Sequence, residues 1–322
     1  LVVCLFFSAF WVRLLNDLLP FPLFRIVQFS VYFLLGVIVY AFSFYIISDV
    51  LRIFIKINPH KEGIIVFALA ITVAALGYLN TRLIRESNYT IYSDKIKHAA
   101  KIVMVSDIHI GSPDMTLSKF QRMVQKINAQ NADFVILAGD IVDDASVNYK
   151  KLGYENLFKS LQAKHGVYAT IGNHENYRGD VHSIVQDLTS DGIKVLDNSA
   201  EYFAAYNLNI LGITDVSGTS RQLAKVVDFN LDSHKFNLVV EHNPIRFSEA
   251  AEDNVDLQLS GHTHGGQMLH GWIITQLMYP KPRGQLDLNG SSLITGYGVG
   301  TWGPPIRDIT YPEIIIINVE PR

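Results

Sequence analysis

The residues best suited to chemistry in this 322-residue chain stand in five short polar clusters. One is Ser260-Gly261-His262-Thr263-His264-Gly265-Gly266, which follows the alternating run 255–259. In an extended segment alternate residues face the same way, so His262 and His264 can address one cavity. The flanking glycines let the backbone turn closely beneath them. The other clusters are Ser106-Asp107-Ile108-His109, Gly139-Asp140, Gly172-Asn173-His174-Glu175 and Glu241-His242-Asn243-Pro244. Asp107 and His109 repeat the two-residue spacing with one oxygen and one nitrogen ligand. Taken singly, Asp107 reads as a strand-end cap, Asp140 and Asn173 as turn residues, and His242 as a partly buried histidine. Jointly they form a mixed nitrogen and oxygen set large enough for two divalent metal ions, provided that one carboxylate bridges them. Such a set suits Mn, Fe or Zn better than Mg, which prefers oxygens and retained waters. Glu175 reads either as a support behind a ligand or as a solvated acid at a helix start.

Each cluster follows an apolar run, and that sets the architecture that must hold it. Runs 101–105, 134–137, 167–171 and 236–240 predict buried strands. Segment 117–129, with Leu117, Phe120, Val124 and Ile127 at helical spacing, predicts a helix, as do 149–163 and 181–188. Further strands are expected at 194–196, 201–206, 208–213, 293–297 and 313–318. The alternation is that of an α/β fold, in which ligands bind beyond the carboxyl ends of the strands.

The order D-x-H, G-D, G-N-H-E, a single His, then G-H-x-H resembles the signature of the calcineurin-like metallophosphoesterase superfamily, and it runs here without a gap across about residues 98–320. The wording of 260–267, the His-Asn-Pro at the fourth cluster and the apolar front end look like its membrane-associated bacterial branch. Some relatives in that wider group cleave the pyrophosphate of UDP-diacylglucosamine. The resemblance implies a four-layer αββα sandwich of two sheets flanked by helices. It assigns Asp107, His109, Asp140 and His264 to one metal, with Asp140 bridging to a second that Asn173, His242 and His262 complete. His174 would stand beside the ions without ligating them, placed to protonate the leaving oxygen.

Ahead of this region the texture is that of a membrane segment. Residues 26–48 carry no charge and are long enough to cross a hydrocarbon core of about 30 Å at about 1.5 Å per residue. Residues 64–81 make a second expected transmembrane helix, and 1–19 a partial one. The chain therefore divides into a membrane region, 1–95, and a catalytic domain, 96–322. Its start at Leu1 rather than Met leads us to expect further N-terminal sequence, and no cleaved signal peptide is expected. Arg52, Lys56 and Lys61 in loop 52–62 and Arg82, Arg85, Lys95 and Lys97 after the second span pull the positive-inside rule both ways; short loops weigh most, which tilts the expectation toward a cytoplasmic 52–62 loop and a catalytic domain on the outer face. A net charge of -3 gives no basic footprint for nucleic acid. The single cysteine, Cys4, allows no disulfide within the chain and leaves the compartment open.

Arg283 and Arg307, in glycine- and proline-rich loops, are candidate phosphate clamps. Trp272, Ile273, Ile274, Leu277 and Met278 form an apolar patch that could touch a bilayer or an acyl chain, although packing in the domain core is the simpler account. The expectation is thus a membrane-anchored phosphoesterase of a bacterial cell membrane, acting on a phosphodiester, phosphomonoester or pyrophosphate, with a lipid-linked, UDP-diacylglucosamine-type substrate as the leading case. A non-catalytic, metal-stabilised scaffold for a membrane partner is the alternative; such a scaffold would be expected to have lost a ligand or His174.

Overall fold

The computed structural model describes residues 12, 18–143, 148–177, 180–215, 217 and 224–322. Its strands, in chain order, are β1 (Arg85–Ser93), β2 (Ala100–Val105), β3 (Phe134–Ala138), β4 (Val167–Thr170), β5 (Ile193–Val195), β6 (Ser199–Phe203), β7 (Leu208–Ile213), β8 (Phe236–Glu241), β9 (Leu257–Ser260), β10 (Gly284–Leu288), β11 (Ser291–Thr295) and β12 (Glu313–Pro321). They form two six-stranded sheets, ordered β1-β12-β2-β3-β4-β5 and β10-β11-β9-β8-β7-β6. The strands that carry the polar clusters, β2, β3 and β4 in one sheet and β8 and β9 in the other, are parallel to their neighbours in that set. Their carboxyl ends therefore open in a common direction within each sheet.

Alternation along each strand builds the layers. Ile102 and Met104 of β2 join Phe236, Leu238, Leu257 and Leu259 in the core between the sheets. Val103 and Val105, on the opposite face, pack with Phe120, Met123, Val124 and Ile127 of α3 (Leu117–Ala129). The outer face of the second sheet, with Leu211, Ile213 and Val239, is covered by Val226, Ala250 and Val255. Helix, sheet, sheet and helix layers follow, which is the expected sandwich. α3 begins where expected because Thr116 accepts the Lys119 amide hydrogen at 3.2 Å. The helix expected over 149–163 is only Glu155–Lys159 (α4), because Gly153 adopts φ +86 and turns the chain just before it.

Three elements stand outside the expectation. β1 pairs in parallel with β12 over its full length, so the first sheet starts at Arg85, ahead of the boundary expected at 95/96. β10 closes the far edge of the second sheet. The apolar patch forms a helix, Leu269–Met278, none of whose residues is buried, so its assignment to the domain core is corrected.

The front of the chain is a pair of helices, α1 (Phe21–Leu51) and α2 (Pro59–Asn80), both long and apolar enough to cross a membrane by length and composition. Asn58, capping two amides, and Pro59 start α2 earlier than hydropathy alone suggests. The partial helix expected at 1–19 lies almost wholly outside the described residues. Val37, Tyr40 and Ala41 of α1 pack on Val66, Ala70 and Ala74 of α2, and Met268 and Ile306 of the catalytic part complete that cluster. Gly36 and Gly77 make room for Ile306: a Cβ on either would lie 2.3 or 2.5 Å from its side chain. Nearer the N-terminus, Arg25 of α1 donates to the carbonyls of Gly111, Ser112, Pro113 and Met115. At the far end, Glu62 accepts from Ser48 at 2.6 Å and pairs with Arg52.

Candidate metal centre

The ends of five strands bring the expected side chains together. Asp107 and His109 follow β2, Asp140 follows β3, Asn173 and His174 follow β4, His242 follows β8, and His262 and His264 follow β9. Three sets offer ligand atoms within 4.8 Å of one another: Asp107, His109 and His264; His109, Asp140 and His174; and Asp140, His242 and His262. His109 and His264 face each other with their Nε2 atoms 3.2 Å apart, and His264 Nε2 is 3.5 Å from Asp107 Oδ1. His242 Nε2 lies 3.0 Å from Asp140 Oδ2, and His262 Nδ1 lies 2.8 Å from Asn173 Oδ1. His109 and Asp140 are each common to two sets, and of the pair only Asp140, a carboxylate with two oxygens, has the chemistry to bridge. Asp107, His109, Asp140, His262 and His264 all sit at positive φ, between 50° and 70°. That backbone region is uncommon outside glycine, and its concentration here marks a turn geometry held for the site.

The donor chemistry fits a cation. His242 Nδ1 donates to the Ala138 carbonyl at 2.7 Å, so in the neutral ring Nε2 is a lone pair aimed at the Asp140 carboxylate. His242 Nε2 and Asp107 Oδ2 are buried and lack a hydrogen-bond partner. Opposed lone pairs at these distances call for a proton or a metal between them. Burial disfavours charge on His242, yet the Asp140 carboxylate outweighs it and raises the imidazolium to about 10. Burial likewise favours a neutral Asp140, and His242 and His174 overcome it to hold the carboxylate well below its usual range. Burial, reinforced by the neighbouring His109, pushes His264 well below the ordinary histidine value, which leaves a neutral ring able to ligate.

Two supporting groups were not assigned from sequence. Glu175 is fully buried and accepts from the amides of Asp140, Val142 and Gly172, so it ties the turns after β3 and β4 together. Of its two readings, the support is the one seen. Asp143 lies 3.3 Å from His109 Nδ1 through its carboxylate, and its carbonyl accepts from His174 Nδ1 at 2.6 Å. The only trace of it in the sequence is its spacing three residues after Asp140.

A sequence model described as calcineurin-like phosphoesterase matches residues 100–266, about half of the chain. A metallophosphoesterase of Aquifex aeolicus (strain VF5) is 31% identical over 262 residues, covering 78% of this chain and 98% of its own length. The chain belongs to the calcineurin-like phosphoesterase family. This phosphoesterase is also 30% identical over 233 residues to one of Campylobacter jejuni, spanning 70% of the chain but 60% of that relative. A Danio rerio protein named as a transmembrane protein with metallophosphoesterase domain is 30% identical over 231 residues, 66% of this chain and 52% of that one. Among solved structures, a dimetal phosphatase from Danio rerio covers 62% of the chain and 88% of its own at 14% identity and a TM-score of 0.39, too distant to carry an argument. The family is metal-dependent and dinuclear, and the clustered carboxylates and imidazoles meet that requirement.

The two arginines do not share the metal cleft of the phosphoesterase. Arg307 is fully buried, donating through Nη2 to the carbonyls of Gly300 at 2.5 Å and Tyr297 at 2.8 Å and through Nη1 to Thr310 at 3.1 Å. Those two hydrogens of Nη2 are thereby taken, so His264 Nδ1, 3.1 Å away, is a close neighbour rather than a third acceptor. Burial lowers this guanidinium to about 10. Arg307 therefore braces the loop behind His264 and is not presented as a phosphate clamp. Arg283 is exposed; it donates to the Tyr297 hydroxyl and stacks on that ring, at the edge of a separate pocket. The metal cleft itself is about 450 Å³, bounded by the ligand cluster on one side and by Val39, His270, Ile274, Met278 and Trp302 on the other.

Proposed function

We propose that this phosphoesterase is anchored in a membrane by α1 and α2 and hydrolyses a lipid-linked phosphoester or pyrophosphate. One observation carries the reading: the cleft that holds the ligand cluster is walled by Val39 of the apolar helix α1 and by Ile274 and Met278 of an exposed apolar helix. A cleft with acidic and imidazole ligands at one wall and aliphatic side chains at the other suits a substrate with a phosphoryl group at one end and a hydrocarbon at the other. Asp107, His109, Asp140 and His264 would hold one cation, with Asp140 shared and Asn173, His242 and His262 completing the second. Two bound cations supply a deprotonated water and neutralise charge on the phosphoryl oxygens. With its Nδ1 hydrogen held by the Asp143 carbonyl, His174 would have to take up a second proton on Nε2, as the imidazolium, before that atom could hand one to the leaving oxygen. All seven expected ligand positions and His174 are present, which speaks against the scaffold alternative.

A cytoplasmic cleft fits a UDP-diacylglucosamine-type pyrophosphate, and an outward one fits an envelope phospholipid headgroup; a reporter at the C-terminus decides the side. The reaction is tested with the purified full chain, bis(p-nitrophenyl) phosphate and Mn²⁺. Asp140→Asn is expected to lose both turnover and metal. His174→Ala should slow turnover by about 10²- to 10⁴-fold while its metal content, read by elemental analysis, is unchanged. Turnover that persists in Asp140→Asn removes the bridging role, and an inactive wild type across Mn, Zn, Fe and Mg overturns the proposal.

A further inference from the structure

The helix Leu269–Met278, α7 when the short helices α5 (Val181–Ser190) and α6 (Phe247–Ala250) are counted, leaves Leu269, Trp272, Ile273 and Leu277, on the side away from the metal cleft, between 41% and 84% exposed. A helix face with this much exposed hydrocarbon is normally covered by something, because water against it is unfavourable. What covers it is indicated by its neighbour. His270 lies 2.6 Å from Ser43 of α1, and the Asp308 carboxylate accepts from both Tyr40 of α1 and the Leu269 amide. Beyond Ser43, α1 continues for eight residues to Leu51, about 12 Å. That is well short of a hydrocarbon core of about 30 Å. Any placement that puts the exposed Ile46, Ile47 and Val50 in lipid therefore brings the level of Ser43, and α7 with it, to the lipid boundary or within it.

Charge at the end of α7 suits one kind of surface. Lys281 and Arg283 follow the helix and, with Gln276 and Trp272, border a pocket of about 410 Å³. Among the described residues, neither cation has a carboxylate within 4.0 Å. Tryptophan on a largely apolar helix, followed by cations that lack a carboxylate partner, is the composition of an interfacial element on anionic lipid.

We propose that α7, with Lys281 and Arg283, is seated in the headgroup and upper acyl region of an anionic bilayer. Its other side, through His270, Ile274, Thr275 and Met278, lines the metal cleft, so the helix separates lipid from that cleft by its own width. The inference rests on the membrane anchoring proposed above but not on the reaction.

The test uses the full chain in nanodiscs, with Trp11→Phe and Trp302→Phe leaving Trp272 as the sole tryptophan of the three. Phosphatidylcholine brominated on its acyl chains should quench Trp272, and more so when phosphatidylglycerol is added. Lys281→Glu with Arg283→Glu should abolish the added quenching. Leu277→Asp, at an exposed position outside both pockets, should weaken quenching; made alone in the otherwise native chain, it should leave hydrolysis of bis(p-nitrophenyl) phosphate in detergent at the wild-type rate. Emission equally bright in brominated and plain discs overturns the proposal, as does quenching that ignores both phosphatidylglycerol and the charge reversal. A disulfide-linked dimer through Leu277→Cys in a Cys4→Ser chain, with Trp272 unquenched, gives the face to a second copy and overturns it too. Quenching without hydrolysis would leave the docking in place and remove the reaction; hydrolysis without quenching does the reverse.

Discussion

Arg307 illustrates how a side chain can be essential to a site without facing its substrate. Its guanidinium gives hydrogen bonds to Tyr297, Gly300 and Thr310 from a fully buried position. Arg307→Lys cannot reach the same carbonyls with a planar fork, and each buried group left unpaired costs about 1–3 kcal/mol. The expected outcome is a lower melting temperature and weaker metal retention, with KM for bis(p-nitrophenyl) phosphate unchanged; a raised KM at unaltered stability would return Arg307 to the substrate. The clustering of these carboxylates and imidazoles was legible because it lies in residue type and order: Asp107 with His109, or His262 with His264, declare themselves by spacing. Asp143 and Arg307 were not, because one acts partly through its own carbonyl and the other on carbonyls of its neighbours, and main-chain partners leave no mark in a one-letter string.

At the scale of elements, the buried strands were readable and the edges were not. β2, β3 and β8 are mostly apolar runs followed by polar clusters, and they appeared where expected. β1 is half exposed, with Ile91 its one buried residue, so its sequence Arg-Glu-Ser-Asn-Tyr-Thr-Ile-Tyr-Ser carries no hydrophobic face to detect. The turn after β9 depends on the closeness of Gly261 to Asp107: a Cβ there would stand 2.3 Å from Oδ2. Gly261→Ala should therefore cost about 1–3 kcal/mol. Metal analysis should show the loss, with circular dichroism unchanged. β12 begins with Glu313, whose carboxylate accepts from the Tyr297 amide at 2.7 Å and from Ser87 at 2.5 Å. Burial pushes this carboxyl up to about 7, with Ser87 and the arginines 307 and 283 pulling it only part of the way back. The folded state thus binds more protons than the unfolded chain between the ordinary glutamate value and about 7, and stability falls as pH rises through that window. Glu313→Gln should lose less, by up to about 3 kcal/mol, which melting curves of metal-free protein at pH 5 and pH 8 would show. An identical pH response in the two proteins would place the proton elsewhere.

For the molecule as a whole, the hairpin is part of the catalytic fold. Ile306 fits between Gly36 and Gly77, and the Arg307 amide, next along the chain, donates to the Gly77 carbonyl at 3.1 Å. Gly77→Leu should push Ile306 out at a cost of about 1–3 kcal/mol. Limited proteolysis of loop 301–310 should then speed up, and hydrolysis should fall even though no ligand is altered. This dependence was invisible in hydropathy, which reports only that 26–48 and 64–81 are apolar and not what they pack against.

The junction between the two parts fixes one thing more. α2 ends at Asn80 and β1 begins at Arg85, so four residues join the helix pair to the edge of a sheet. Asn80 is itself fastened to the carbonyls of Arg307 and Thr310 at 2.9 and 2.7 Å. There is no tether to pay out and no hinge to swing on. With α1 and α2 in a bilayer as proposed, the working end of the enzyme would have a set altitude, and its reach would stop at the sheet of molecules in which its own stem is planted.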